Sequence, residues 1–290
     1  MSSRDTISES EELLPFHVKS IPKSVAKKCE EELNETPDKK TKALQDLRSM
    51  LQRNRETTGI RFHDDFLSQF LRRNKYRMTD TYQNVQNFVI INRKESFLFK
   101  SVPDQYLHLP SSKVLVLLPK RCPDGCTIVK SQIGKWNPRE IPFEHFQSLL
   151  AVMFVQLLRD PMTQINGFKI IHDFKDTSIH LLKFCSPRNL QLLYHGAINC
   201  APARYKQIHF VNDSIVLKTL WAILKPFLSE KIRNRVVFHS SPEGLLDYFP
   251  RSVLPTEYGG TLRESDTEDF LKTANKYHEE YTIEGQPNFY

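Results

Sequence analysis

Glycine is scarce in this chain, nine residues in 290, and none falls in a G-x-G-x-x-G or G-x-x-x-x-G-K spacing. Backbone cradles for phosphates are therefore scarce. There is no G-x-S-x-G nucleophile elbow and no H-E-x-x-H metal helix, and the ten histidines are scattered. His172 and Asp173 stand side by side at the end of an expected strand, but a lone His beside an Asp is far more often structural than catalytic. An enzyme is thus the weak hypothesis. Cysteine is sparse as well: five residues, of which only Cys122 and Cys126 are close in sequence. That pattern fits reduced thiols better than a disulfide scaffold. The CPDGC segment has no second CxxC or HxxxH partner, so it reads as a Pro-Asp-Gly hairpin turn with two incidental cysteines, and no metal is expected. No apolar run is long enough to cross a bilayer, and the opening MSSRDTISESEE is polar and acidic, unlike a secretory leader. The expectation is a cytoplasmic protein.

What the chain has in excess is positive charge. Forty-one Lys and Arg against 34 Asp and Glu give a formal +7 and a pI near 9.1, which favours anionic partners. Nucleic acid would call for basic runs with interleaved aromatics or a recognisable module, and neither is present. Phospholipid headgroups are the better match. Hydrophobic residues at 39% and charged residues at 26% allow a large core in one main domain, with a small polar N-terminal subdomain in front of it.

The charge is concentrated around residues 204–235. There, seven Lys or Arg stand against Asp213 and Glu230, a net +5. Inside this window, residues 214–228 repeat at helical spacing. Val216, Leu220, Ile223 and Phe227 form one apolar row, and Leu217, Trp221, Leu224 and Leu228 form the adjacent one. Two readings remain open from periodicity: a half-buried core helix with a solvated charged rim, or a door over a lipid cavity that opens at an anionic membrane. Pro226 lacks a backbone donor, so the helix should bend or end near Lys225.

Taken in order, residues 1–16 are acidic and Ser-rich and are expected to be mobile. Short helices follow over 22–34, from 37 to about 55 with Thr36 as cap and Pro37 at its first position, over 64–73, and from a Thr79 cap onwards. From Lys113 the pattern alternates strand and helix. KVLVLL and TIVKSQIG form the hairpin, Pro142 starts an apolar helix carrying Phe143, Phe146, Leu150, Met153, Phe154, Leu157 and Leu158, and FKIIHDF reads as a buried parallel strand. Ser186-Pro187 opens another helix with Leu190, Leu193, Tyr194 and Ala197 on one side. The strands 207–211 and 236–239 flank the apolar helix, and a polar helix over 267–280 ends the chain. Strands separated by helical crossovers imply an α/β domain.

The order IHFVN, apolar helix, KPFLSEKIRNRVVFH and LPTEYGG resembles the C-terminal half of the CRAL-TRIO lipid-binding domain family, in its tocopherol- and retinoid-carrier branch. FLRRNKY resembles that family's N-terminal FLRARKF, with Asn74 where a basic residue or Cys is usual, and GKWNP resembles its GxWDP. The resemblance implies a mixed, mostly parallel sheet flanked by helices around an apolar cavity, a helical subdomain over 17–100, the lipid-binding domain over 101–264 and a terminal helix and tail over 265–290. It implies a cavity wall built from Leu150, Phe154, Phe168, Leu193, Ala197, Tyr205 and Ile208, roofed by Val216, Leu220, Ile223, Leu224 and Phe227 of a mobile helix. By motif alignment, it also implies a phosphoinositide site at Arg204, Lys206, Lys231 and Arg235. The expected partners are one hydrophobic lipid, tocopherol- or retinoid-like, and phosphoinositide membranes of the endosomal or plasma-membrane kind. No cofactor is expected, and the chain is expected to be a monomer. The rival expectation is a phosphoinositide-reading trafficking adaptor that does not transfer cargo.

Overall fold

The computed structural model of the chain describes residues 21–263 and 268–282, so the tail expected over 1–16 lies outside the described residues. The first part is helical. α1 (Lys23–Lys28) widens into a single broad turn, Cys29–Leu33, and stops at Asn34, whose positive φ of 64° turns the chain away. The Thr36 hydroxyl accepts a hydrogen bond from the Lys39 amide, and Pro37 opens α2 (Pro37–Gln52), as its sequence implies. α3 (Asp64–Arg73) and α4 (Met78–Lys94) follow, α4 beginning one residue ahead of the expected Thr79 cap. Leu47, Leu51, Phe66, Phe70, Val85 and Phe88 close these helices on one another, with the Phe66 and Phe70 rings 4.9 Å apart. This subdomain has its own core.

After the short α5 (Asp104–Leu107), β1 (Leu115–Leu117) and β2 (Thr127–Gln132) form the expected antiparallel hairpin. Its turn is set by Gly125 at φ 84° and by Asp124 Oδ1, which accepts from the Cys126 amide at 3.1 Å. α6 (Phe143–Leu157) leads to α7 (Pro161–Asn166), a helix the apolar pattern gave no sign of. It is capped by Asp160, whose carboxylate accepts from the Met162 and Thr163 amides. Gly167, at φ 87°, then lets the chain drop straight into β3 (Phe168–Asp173), because a Cβ there would meet the Arg204 carbonyl at 2.3 Å. α8 (Pro187–Tyr194) starts at its Ser186 cap and unwinds into a wide turn, His195–Cys200, before β4 (Tyr205–Val211). α9 (Ile215–Leu224) ends in one tight turn at Lys225–Phe227, where Pro226 stops it as expected. α10 (Glu230–Arg233), β5 (Val236–His239) and α11 (Glu268–Thr282) complete the described elements.

The sheet runs β1-β2-β3-β4-β5, antiparallel at the hairpin and parallel elsewhere. Consecutive parallel strands joined by right-handed crossovers must carry every crossover on one face, and that is where α6 and α8 lie. The opposite face is covered by three short 3-10 turns, Pro242–Asp247, Arg251–Val253 and Thr256–Tyr258, whose segment packs Leu245, Phe249, Leu254 and Tyr258 on Ile128, Ile171 and Val211. The pleat sorts the side chains accordingly: Ile170, His172 and Ile208 face the helices, whereas Ile171, His209 and Val211 face the 3-10 turns. α11 differs from the polar terminal helix the sequence suggested. It buries Phe270, Leu271 and Ala274 in the core shared with α6, and Asn275 pairs with both backbone groups of Val102 at 2.7 and 2.8 Å.

Candidate functional site

Between the helix-facing side of the sheet and α6, α8 and the wide turn lies a cavity of about 630 Å³. Its sheet wall is Leu115, Ile170, Tyr205 and Ile208. α6 contributes Phe146, Leu150, Ala151, Phe154, Val155 and Leu158, and the α8 turn contributes Leu192, Leu193, Gly196, Ala197 and Ile198. A third wall comes from the helical subdomain, through Phe66, Phe88 and Ile91. The wide turn is held open from that side. The Arg73 guanidinium donates to the carbonyls of Ala201 and Ile198, and Asn84 Nδ2 donates to the Asn199 carbonyl at 2.7 Å. Asn74, 2% exposed, donates to Asn84 Oδ1 at 2.8 Å, so this departure from the usual basic residue works as a buried brace.

Of the cavity positions read from the sequence, Leu150, Phe154, Leu193, Ala197, Tyr205 and Ile208 line the space. Phe168 stands one layer behind, fully buried, its ring 5.3 Å from Phe154 and 6.2 Å from Tyr205. The α9 residues do not line it. Val216 and Leu217 bury against Phe174 with Leu220 beside them, and Trp221 packs edge-on against Phe238 at 5.1 Å and Phe210 at 6.2 Å. Leu224 is half-buried, and Ile223 and Phe227 are exposed. The expected roof is thus replaced: α9 packs on Phe174, Phe210 and Phe238, and α8 with its wide turn covers the cavity instead.

The cationic residues come together beside the cavity end formed by Tyr205. Arg204 donates to the Ile165 carbonyl and lies 3.8 Å from Glu32, which also pairs with Lys206 at 3.3 Å and Lys28 at 3.9 Å. Burial alone would raise the Glu32 carboxyl, but Lys206, Lys28 and Arg204 outweigh it and hold the group below its ordinary value. Arg235 donates to the Tyr205 carbonyl. Lys231 is exposed, with no anionic partner among the described residues, and its ammonium is held below the ordinary lysine value by partial burial and then by Arg235, Arg77, Arg73 and Lys75. Like charges gathered this closely suit a multiply charged anion. Lys75 and Arg77, on the left-handed turn between α3 and α4, join the four positions expected from the sequence.

Residues 111–260 match the CRAL/TRIO domain family. Over 259 residues the chain is 32% identical to the human (Homo sapiens) protein named "Alpha-tocopherol transfer protein-like", covering 87% of this chain and 75% of that one. It is 27% identical over 249 residues to Clavesin-1 of Rattus norvegicus, covering 83% and 70%. A solved structure, that of Sfh5, overlaps it with a TM-score of 0.49 at 15% identity over 69% of this chain and 72% of the other. The chain belongs to the CRAL/TRIO domain family. That family binds hydrophobic ligands, and the cavity of this member lies where β2, β3 and β4 meet α6 and α8.

Two features of this CRAL/TRIO domain escaped the sequence. One is the helical-subdomain wall, where α3 buries residues 66–72 together, the polar Ser68, Gln69 and Arg72 among them. The other is a polar spot inside the apolar space. Ser131 on β2 and His172 on β3 are paired in register, and Ser131 Oγ meets His172 Nδ1 at 2.6 Å where both line the cavity. Burial drives the imidazole down to about 4, so it is neutral near pH 7. Asp173 does not serve it. The carboxylate points to the other face and accepts from Tyr258 Oη at 2.8 Å and Asn212 Nδ2 at 2.7 Å.

Proposed function

We propose that this protein is an intracellular carrier that holds one hydrophobic lipid, tocopherol- or retinoid-like, in the cavity beneath α6 and α8, and exchanges it while docked on phosphoinositide membranes. The observation that carries the reading is the size and lining of the cavity. About 630 Å³ falls in the range of small-molecule sites, and its wall is mainly aliphatic and aromatic. Each Å² of apolar cargo withdrawn from water contributes about 25 cal/mol, so affinity needs little else. The relatives named for tocopherol transfer support the cargo class. The group of Arg204, Lys206, Lys231 and Arg235, extended by Lys75 and Arg77, supports docking on a multiply phosphorylated headgroup such as phosphatidylinositol bisphosphate. The five unbridged cysteines suit a reducing compartment.

The carrier works by solvation and charge, without bond making. Mass spectrometry of organic extracts of the natively purified protein should show a stoichiometric lipid, and transfer between liposomes should be faster when phosphatidylinositol bisphosphate is present. Headgroup binding without any exchangeable lipid would favour the adaptor reading. A cavity that takes up no apolar probe would remove the carrier reading altogether.

A further inference from the structure

The polar groups that line the cavity are not equivalent. Lys100 and Ser96 are exposed and belong to its mouth. His278 is spent on the protein: Nε2 meets the Phe99 carbonyl at 2.6 Å and Nδ1 meets Gln156 at 3.2 Å. Arg159 donates to Gln156 Oε1 at 3.1 Å. His172 and Gln69 are not spent in this way, and of the two it is His172 that a neighbouring side chain holds in place. Its Nδ1 is engaged by Ser131, and Nε2 has no hydrogen-bond partner among the described residues, although the ring lines the cavity. The ring is also fixed in orientation, stacked on Phe210 at 5.4 Å and 22°. A neutral imidazole held by a hydroxyl on one nitrogen presents one donor or one acceptor on the other, depending on which partner carries the proton. An apolar wall that keeps such a group unpaired loses free energy unless the occupant completes the bond.

We propose that Ser131 and His172 anchor a single uncharged oxygen group, a hydroxyl or a carbonyl, of an otherwise apolar cargo. This deepens the carrier reading and rests on it. A hydroxyl can donate to Nε2 or accept from it, and a carbonyl can accept from an Nε2–H when the Ser131 hydroxyl donates its hydrogen bond to Nδ1. A carboxylate is disfavoured, because the anchor carries no positive charge and the charged form of a cargo acid would be desolvated beside it. The anchor therefore selects alcohols, aldehydes and ketones over hydrocarbons of the same shape, and sets which end of the cargo lies against β2 and β3.

The test uses the full chain and four pyrene-labelled lipids of one chain length, ending in a methyl, a hydroxyl, an aldehyde or a carboxylate. Wild-type protein should bind the alcohol and aldehyde roughly two- to tenfold more tightly than the hydrocarbon, the worth of one neutral hydrogen bond. His172→Phe should erase that preference while keeping hydrocarbon affinity, and so report a folded cavity. His172→Gln, which keeps an amide at the site, should restore part of it. Gln69→Leu is the control, since Gln69 also lines the cavity without a hydrogen-bond partner among the described residues. Loss of the preference in Gln69→Leu but not in His172→Phe would overturn the assignment, as would equal affinity for all four lipids in wild type. Failure of every lipid to bind would instead overturn the carrier reading on which it rests.

Discussion

Glu32 occupies part of the cationic group on which membrane docking is proposed to depend, so removing its charge should tighten docking. Its carboxylate lies 3.3 Å from Lys206 and 3.8 Å from Arg204. In the interior, two such contacts would be strong, but the Glu32 side chain is 40% exposed and water screens them. Exposed pairs of this kind contribute about 0.2–1 kcal/mol each, so a headgroup that displaces Glu32 forfeits on the order of 1 kcal/mol. Glu32→Gln removes that competition and should raise affinity for vesicles containing phosphatidylinositol bisphosphate roughly fivefold at low salt. The gain should shrink as salt rises, since it is electrostatic. Co-sedimentation with phosphatidylcholine vesicles, with and without the phosphoinositide, reads it directly. Glu31→Gln changes net charge equally but removes a carboxylate paired with Lys27 at 3.6 Å, away from Arg204 and Lys206, and so separates local from global charge. Binding by Glu32→Gln that is unchanged, or no better than by Glu31→Gln, would refute the idea that Arg204 and Lys206 take part in docking.

Three further outcomes follow from the same geometry. Lys75→Glu with Lys231→Glu, both at exposed positions, should weaken binding to phosphoinositide vesicles tenfold or more, at about 1 kcal/mol per basic residue near an anionic surface, while thermal unfolding stays within a few degrees of wild type. Ala197→Phe places a ring in the cavity and should lower the lipid recovered on extraction, because the added atoms occupy the cargo's space. Acid should destabilise the fold through His209, which is hydrogen-bonded to His239 at 2.9 Å and is pushed from 6.5 to about 3 by burial first and then by His239 and Lys169. A histidine depressed in the folded state stabilises only while neutral. Its contribution is complete above 6.5 and is lost as pH falls from there towards 3, which at pH 5 amounts to about 2 kcal/mol. Melting curves at these pH values should show the loss, and His209→Gln should reduce it by about that amount while the part carried by His172 remains.

Much of this architecture is written locally. The bounds of α3, the Ser186 cap of α8, the Pro226 stop after α9 and the extent of β5 all follow from residues within one turn of the boundary. Six of the seven cavity-wall positions carried over by the family resemblance face the space, since the pleat and the helix period fix which side of an element a residue occupies. What the sequence could not supply is partner choice. Two apolar rows on α9 required burial, but nothing in 214–228 says whether the partner is a void or the Phe174, Phe210 and Phe238 side chains that take it. α11 was misjudged for the opposite reason: Phe270, Leu271 and Ala274 are too few to dominate its polar average, yet they lie on one face and bury. Ser131 and His172 are 41 residues apart and meet only through strand register. Lys75 and Arg77 carry no periodic signal and are gathered by the turn that joins two helices.

The sheet order also accounts for the cavity's existence. Four parallel strands in sequence place every crossover on one face, and the crossover from β3 to β4 is long enough for α8 and its wide turn to arch over the sheet instead of lying flat upon it. The arch is then tied to a second body, since Arg73 and Asn84 hold its carbonyls from α3 and α4, so it cannot collapse without breaking bonds that are largely sheltered from water. Left empty, a space of about 630 Å³ would forfeit the contacts its walls could make, a cost that rises with the volume left unfilled. Water is a poor filler, because almost all of the wall offers it no hydrogen bond. A chain that braces such a space open, when a few larger side chains would close it, keeps its stability through what enters, and an apolar guest of lipid size is the occupant its wall can solvate.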